Sequence, residues 1–369
     1  MAYCPELREN IMGDVTKYLP LQDYIRFGAI HPSWSAMAKA RYHPPDHGFP
    51  LLIVNDGNQE GELRLFNISS QSFYPLNLPH GYHCCGSSRG WLLIMNSSMK
   101  MCLLNPFSKA EIELPTFLLS ESEYEAFVDI GERMNKPTHE LLLERFIVRA
   151  VLSVDPEKCS DYIIMVISYD LLYLRFWRSG DSSWTVMNIP GYEVFWDVIW
   201  YKGAFHALSN CNEVFEVCLS PKLGFKKLAR LYGPTTLSRY LVDCMGDLMI
   251  IERCVKKTDT RHFYTIRFDV HKLDEKEMEF IEVESIGDHA LFIGRNSTIA
   301  IPASKFPRCL SDSIYFTDHS PLTIHKYGYE DIGLYNMKNK TVEMFPPKGV
   351  YTPKFQPLWF EAYIYVIIN

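Results

Sequence analysis

Cysteine is scarce in this sequence, long hydrophobic runs are missing, and basic charge is not in excess. Ten cysteines in 369 residues are far fewer than a disulfide-stabilised scaffold needs. The longest apolar runs, such as Ile163–Ile167, are much shorter than the roughly 20 residues that span a bilayer. The net charge of −7 argues against a broad nucleic-acid surface. We therefore expect a globular protein that binds neither membranes nor nucleic acids.

The opening of the chain also lacks the apolar segment of a secretory signal peptide. It is polar and charged from Glu6 onward. We therefore expect a cytoplasmic or nuclear protein whose cysteines remain reduced thiols.

Helical periodicity is confined mainly to the first 43 residues. Leu7, Ile11, Val15 and Leu19 recur every four positions, which predicts one face of an amphipathic helix. Pro20 ends this helix, and two further short helices are predicted over about 21–30 and 32–40. Three short helices bury little surface on their own, so residues 1–43 are predicted to form a helical module that needs a partner.

From residue 49 to the end, the pattern changes to short β-rich runs separated by Gly, Asn, Asp and Pro turns. Many short strands indicate a sandwich, a barrel or a propeller. A repeat favours the propeller: a strand, a polar turn and a second strand that ends in an apolar–proline pair. The first two pairs, at Leu78 and Leu114, are 36 residues apart, near the ~40–50 residues of a propeller blade.

The predicted fold is therefore mainly β, with an α-helical N-terminal module over 1–43. A β-propeller-like domain of about five to seven blades follows over 49–369. The stretch near 120–144 interrupts the repeat and is predicted to be a helical or loop insertion.

One motif fits a serine hydrolase, because residues 86–90 match the pattern G-x-S-x-G with Ser88 as the nucleophile. That elbow needs a buried strand before the serine and a helix after it. Here the preceding stretch, Pro79–His83, does not resemble a buried strand, and an apolar β-run, Trp91–Ile94, follows. We therefore predict that Ser88 has a structural role.

Trp91 opens this apolar run directly after a Gly-containing turn. Consecutive strand residues point to opposite faces, and a run that is apolar throughout indicates a sheet covered on both faces. Trp91 is therefore predicted to be buried between blades.

A second group suggests a metal site, because His80, His83, Cys84 and Cys85 lie close together. Adjacent cysteines rarely bind one ion, and the sequence has no second C-x-x-C or H-x₃-H pair to complete a tetrahedral site. The cysteines are predicted to pack in the core. Nucleotide-binding glycine motifs and H-E-x-x-H are also missing. We predict no catalytic residue, no cofactor and no metal.

The N-terminal module resembles an F-box. Residues 4–7, 11–12, 19–27 and 33–35 follow the family order of Leu-Pro, spaced apolar residues, a second Leu-Pro, Asp, Arg-Phe and a closing Ser-Trp. The chain departs from that order at Cys4, where Leu is usual, and at His31-Pro32, where Val-Cys is typical. The resemblance implies that a Skp-type adaptor binds the module through seven residues: Pro5, Leu7, Ile11, Leu19, Pro20, Ile25 and Trp34.

The rest of the chain resembles the kelch-like or β-propeller domain of unknown function that follows the F-box in a large plant family. The matching segments occur in the family's order, at residues 86–93, 103–107, 112–115, 246–250, 286–294 and 313–318. The two resemblances together imply a non-catalytic substrate receptor of a Skp–cullin–F-box ubiquitin ligase, whose propeller binds a target protein. Two other classes stay open: a propeller enzyme or small-ligand sensor, and a scaffold that binds neither adaptor nor cullin.

Overall fold

The computed structural model describes residues 50–55, 63–69, 71–168, 173–188, 194–233, 238–257, 263–296, 298–306, 308–317, 331–344 and 357–361. The predicted helical module over 1–43 lies outside these residues, and so do all seven predicted adaptor contacts, from Pro5 to Trp34. The described part is mainly β, as predicted, with 25 strands, two α-helices and one short 3-10 helix. None of its helices is long and apolar enough to cross a membrane.

The strands are short, with turns between them. In chain order they are β1 (Leu51–Asn55), β2 (Leu63–Asn67), β3 (Ser72–Leu76), β4 (Tyr82–Ser88), β5 (Trp91–Asn96), β6 (Met101–Leu104), β7 (Glu111–Leu114), β8 (Ile147–Leu152), β9 (Ile163–Ser168), β10 (Tyr173–Arg178), β11 (Thr185–Asn188), β12 (Phe195–Tyr201), β13 (Ala204–Ser209), β14 (Glu213–Cys218), β15 (Gly224–Arg230), β16 (Arg239–Cys244), β17 (Asp247–Lys257), β18 (Phe263–Asp274), β19 (Glu279–Glu282), β20 (His289–Ile293), β21 (Ile299–Pro302), β22 (Ser313–Phe316), β23 (Gly333–Asn336), β24 (Thr341–Met344) and β25 (Leu358–Phe360). The 3-10 helix is Ala303–Lys305.

The described strands form four sheets of four or five strands and one sheet of eight. The smaller sheets have the orders β25-β1-β2-β3, β4-β5-β6-β7, β11-β10-β9-β8 and β21-β20-β22-β23-β24. The eight-stranded sheet consists of two four-stranded antiparallel groups, β12–β15 and β16–β19, joined by one parallel residue pair, Arg230 with Glu279. Divided at this pair, the described strands fall into six groups that follow the chain order, except that β25 joins β1–β3 in the first group.

The ring of strand groups closes where β1 pairs with β25, with Leu52 opposite Trp359. The hydrophobic core is divided among the spaces between neighbouring groups, and the described residues form six buried clusters. One cluster joins residues of β1, β2 and β25 to residues of β20–β23, so the last group packs against the first. A closed ring of sheets with cores between them is a β-propeller.

β5 shows how the sequence specifies this packing. Trp91 and Leu93 belong to the cluster that faces β8 and β9, while Leu92 and Ile94 belong to the cluster that faces β1 and β2. Both faces of the strand are thus covered, as its continuous apolar run indicates. Trp91 is 1% exposed, so its predicted burial between neighbouring sheets is confirmed.

Two helices lie between β7 and β8. They are α1 (Glu121–Met134) and α2 (Thr138–Arg145). A capping box starts α1: the Ser120 hydroxyl accepts the N–H of Glu123, and the Glu123 side chain accepts the N–H of Ser120. The buried side chains of Phe127 and Leu141 attach the helices to the cluster that holds Trp91.

Candidate functional site

One edge strand of each group faces the axis of the ring. These strands are β25, β4, β8, β12, β16 and β21, which contact one another in that order, and one segment crosses between them. This crossing segment, residues 294–296 and Thr298, lies between β20 and β21 in the chain. The Asn296 amide accepts the N–H of Ala150 on β8 (3.1 Å) and donates to the carbonyl of Ser87 on β4 (2.7 Å). The Thr298 hydroxyl donates to the carbonyl of Leu241 on β16 (2.6 Å). Because it bonds to strands of three different groups, the crossing segment occupies the axis.

A glycine allows this crossing. A Cβ built at Gly86 on β4 would lie 2.8 Å from the Asn296 Oδ1 atom, closer than real Cβ contacts. Gly86 therefore permits the close approach of another part of the chain to β4. This is a structural reason for the first glycine of the G-x-S-x-G motif.

A buried ion pair lies beside the crossing segment. The Arg149 Nε atom on β8 is 2.9 Å from the Asp197 carboxylate on β12, and the two side chains are 1% and 2% exposed. Arg149 also donates to the carbonyl of Gly294 (2.7 Å), and its guanidinium lies over the Tyr240 ring, 5.6 Å from the centroid. The carboxylate accepts the backbone N–H groups of Val198 and Leu241, each at 2.8 Å.

Burial raises the pKa of the Asp197 carboxyl above its ordinary value, while Arg149 and the two N–H groups act in the opposite direction. We call Ser87, Arg149, Asp197, Asn296 and Thr298 the axial network. Their hydrogen bonds connect groups within the protein, and the network contains no nucleophile paired with a base. It therefore stabilises the ring and fills the axis. None of these five residues was predicted from the sequence as part of a site.

Ser88 is the last residue of β4, and its hydroxyl accepts the N–H of Leu152 (3.0 Å). A strand therefore does precede the serine, and the interpretation of the preceding stretch as non-strand is wrong: β4 begins at Tyr82, inside that stretch. The next strand, β5, follows after Arg89-Gly90, where both residues have positive φ, as a tight hairpin turn requires. The structure places no helix after Ser88, so the elbow geometry of a hydrolase is missing here.

We expect no reaction of Ser88 with a fluorophosphonate probe, because the elbow geometry is missing and no activating base is bonded to its hydroxyl among the described residues. The measurement is mass spectrometry of the probe-treated protein, with Ser88→Ala as the matched control and a known serine hydrolase as the positive control. Labelling of the wild-type chain that disappears in Ser88→Ala would make the structural assignment wrong.

The two adjacent cysteines point in opposite directions. Cys84 packs in the cluster toward β1 and β2, and Cys85 packs in the cluster toward β8 and β9. Burial raises the pKa of both thiols, that of Cys85 to about 12. His80 and His83 are exposed, and the structure brings together no group of three metal-ligating side chains in the residues it describes. The predicted core packing is confirmed for Cys84 and Cys85 but is wrong for Cys211, which is exposed.

Outside the ring, the segment from Pro115 to α1 is fixed against β10 and β11. The Phe117 ring stacks on Trp184 at 4.4 Å between centroids, and the Trp184 indole N–H donates to the carbonyl of Pro115 (2.8 Å). Glu123 on α1 forms an ion pair with the buried Arg175 on β10. A helical or loop insertion was predicted here without its starting residue, although Ser120 and Glu123 have the spacing of a capping box.

Comparisons with known proteins find one matching family model, described as KIB1-4 beta-propeller, over residues 65–336. Similar proteins of Arabidopsis thaliana include F-box protein At2g26160, 30% identical over 63% of this chain and 74% of its own length. F-box protein SKIP23 is 22% identical over 95% of this chain and 93% of its own length. F-box protein At2g17036 is 23% identical over 95% of this chain and 92% of its own length. The matching model is not a kelch model, so the kelch-like part of the resemblance is not confirmed.

Proposed function

This chain belongs to the KIB1-4 β-propeller family, and we propose that it is a substrate-recognition subunit of a Skp–cullin–F-box ubiquitin ligase. In this proposal, residues 1–43 bind a Skp-type adaptor, which connects the chain to the cullin. The propeller binds the target protein. The chain itself performs no chemistry, and it acts in the cytoplasm or the nucleus.

The observation that carries the proposal is the extent of the alignment with F-box proteins. The match to SKIP23 covers 95% of the chain, so the uncovered part is shorter than the 43-residue module and the alignment must enter it. A relative named as an F-box protein is therefore similar to both parts of this chain. The quoted F-box segments, from Cys4 to Ser35, lie in the same module.

The axial network supports a receptor role for the outer surfaces of the propeller. Ligands of ring-shaped proteins often enter a central channel, but here Asn296 and the Arg149–Asp197 pair fill the axis. The target must then bind to a face or to the rim of the ring. A protein target can use such a surface, since protein interfaces do not need a deep cavity.

We expect the double variant Leu19→Ala with Ile25→Ala to lose binding to the Skp-type adaptor. Both side chains are among the predicted adaptor contacts, and truncation of one central apolar anchor typically costs about 2 kcal/mol or more of binding free energy. Two such losses together correspond to a decrease in affinity of roughly 1000-fold. The measurement is a pull-down of the adaptor with the full chain, followed by titration calorimetry.

The matched control is Lys17→Ala with Lys39→Ala, which changes two polar positions of the same module and should leave binding unchanged. The melting temperature of each variant reports whether the propeller remains folded. Full adaptor binding by the Leu19/Ile25 variant would contradict the proposed surface. Failure of the wild-type chain to bind any Skp-type adaptor would favour the scaffold alternative and would point to Cys4 and His31-Pro32 as the cause.

A further inference from the structure

The strongest feature outside the axis is the insertion between β7 and β8, which covers residues 115–146. This connection is far longer than the median of about 4–6 residues between neighbouring elements of compact domains. Its start is rigidly attached: Arg175 lies over the Phe117 ring, 5.7 Å from the centroid, and contacts Glu123. A rigid element can bind a partner with little loss of conformational entropy.

One face of α1 is acidic and exposed. Glu121, Glu125, Asp129 and Glu132 follow each other at spacings of four, four and three, so they lie on one side of the helix. All four are exposed, whereas Phe127 on the opposite side is buried. Among the described residues, only Asp129 of these four forms a salt bridge, at 3.7 Å with Arg133. We call these four residues the acidic face of α1.

Helix stability does not account for the acidic face. Glu121 suits the N-terminal end of the helix dipole, but Glu132 lies in the last turn, where a negative charge is unfavourable. Like charges four residues apart, as in Glu121–Glu125 and Glu125–Asp129, destabilise a helix. The capping box uses Glu123, which is not part of this face.

Two large apolar side chains near the start of α1 are exposed. Leu118, two residues before the N-cap, is 88% exposed, and Tyr124 in the first turn of α1 is 51% exposed. The neighbouring Phe117 is buried by its stacking on Trp184, so the backbone that carries Leu118 is fixed. An exposed leucine and tyrosine on a rigid segment can supply the apolar anchors of an interface, and tyrosine also attracts cations.

We propose that this surface binds the target protein through a segment rich in Lys and Arg that carries at least one large apolar side chain. The proposal rests on the proposed receptor function and gives the chemical class of its target. Charge complementarity with the acidic face selects the basic segment, and Leu118 and Tyr124 bind its apolar side chain. Basic charge accelerates association and selects the partner, while the apolar anchors slow dissociation.

The test uses the full chain and a fluorescent 12-residue peptide in which Lys and Arg alternate with Leu. A peptide with Glu in place of Lys and Arg, and one with Ser in place of Leu, are the matched probes. Fluorescence anisotropy at 0.15 M salt measures the dissociation constants, since screening at this ionic strength suppresses non-specific attraction. We expect at least ten-fold tighter binding of the basic peptide with Leu than of either probe.

Two variants test the surface itself. Glu125→Lys with Asp129→Lys should weaken binding of the basic peptide at least ten-fold, and Leu118→Ser with Tyr124→Ser should weaken it at least five-fold. The control is Glu279→Lys with Glu282→Lys, which reverses two exposed acids of β19 and should change the dissociation constant less than two-fold. Equal weakening by the β19 control, or equal binding of all three peptides, would overturn the proposal.

The same variants separate this proposal from the receptor function. All three should bind the Skp-type adaptor like the wild-type chain, because none changes residues 1–43, and all should keep the wild-type melting temperature. Peptide binding without adaptor binding would contradict the receptor function and leave the docking surface supported. Adaptor binding without preference for the basic peptide would overturn the docking surface alone.

Discussion

Replacement of Asp197 by Leu is expected to lower the free energy of unfolding by about 3–5 kcal/mol, because it leaves the Arg149 charge buried without its partner. Arg149 is 1% exposed and cannot reach water without opening the ring. The loss is a large share of the roughly 5–15 kcal/mol that stabilises a typical domain. Equilibrium urea denaturation, followed by tryptophan fluorescence, measures the change.

Two further variants identify the buried charge as the cause. Asp161→Ala removes a carboxylate 3.6 Å from Arg178 in an exposed pair and should cost less than about 1 kcal/mol. Arg149→Met combined with Asp197→Leu removes both charges and should be more stable than Asp197→Leu alone, because no unpaired charge then remains. The same loss of stability in Asp161→Ala and Asp197→Leu would contradict this role of the axial pair.

Trp91→Ala is expected to destabilise the propeller by roughly 3–5 kcal/mol. The Trp91 side chain fills the space between β5 and the strands β8 and β9, and its indole N–H donates to the buried Asp155 carboxylate at 2.9 Å. Loss of the ring leaves a cavity and removes one donor from that carboxylate. Differential scanning fluorimetry should show a lower melting temperature, or the protein should become insoluble.

Trp91→Phe separates the two contributions. Phenylalanine keeps much of the apolar volume and removes the hydrogen bond to Asp155, so we expect an intermediate cost of about 1–3 kcal/mol. Tyr232→Ala is the control, since Tyr232 is 77% exposed and its loss should have little effect on stability. A Trp91→Ala variant that melts like the wild type and loses only a bound protein would make Trp91 a recognition residue.

Local pattern was sufficient to predict the strands that are covered on both faces. β5 and β9 are continuous apolar runs. In a domain of short strands, a short apolar run predicts a strand that is covered on both faces. β4 was not predicted as a strand, because its sequence, Tyr82–Ser88, contains one Gly, two Cys and two Ser and lacks a strand period. Its position is determined by tertiary bonds, such as the one from the Asn296 amide to the Ser87 carbonyl.

The axial network could not be predicted, because its members are far apart in the chain. Arg149 and Asp197 are the partners of one ion pair, and their pairing depends on the order in which the strand groups close the ring. One local signal was available. Each residue is a single charge inside an otherwise apolar strand, and charged side chains are almost never fully buried unless they are paired.

The acidic face of α1 could be predicted from the sequence once residues 121–134 were assigned to a helix, because its four acidic residues have spacings of four, four and three. Its exposure and the exposure of Leu118 and Tyr124 depend on how Phe117 and Trp184 fix the insertion. That contact joins residues 67 positions apart and follows from the fold alone.

The pairing of β1 with β25 has a consequence for how the protein is made. The strand next to Leu52 is supplied by residues 358–360, so the first group of strands is incomplete until the ribosome has synthesised these residues, long after β1. A product that stops before Trp359 would leave β1 as an open edge and would lack the bond from the Trp359 indole to the Ile293 carbonyl (2.9 Å). Unpaired strand edges aggregate, so this closure distinguishes chains that include β25 from shorter products before any partner is bound.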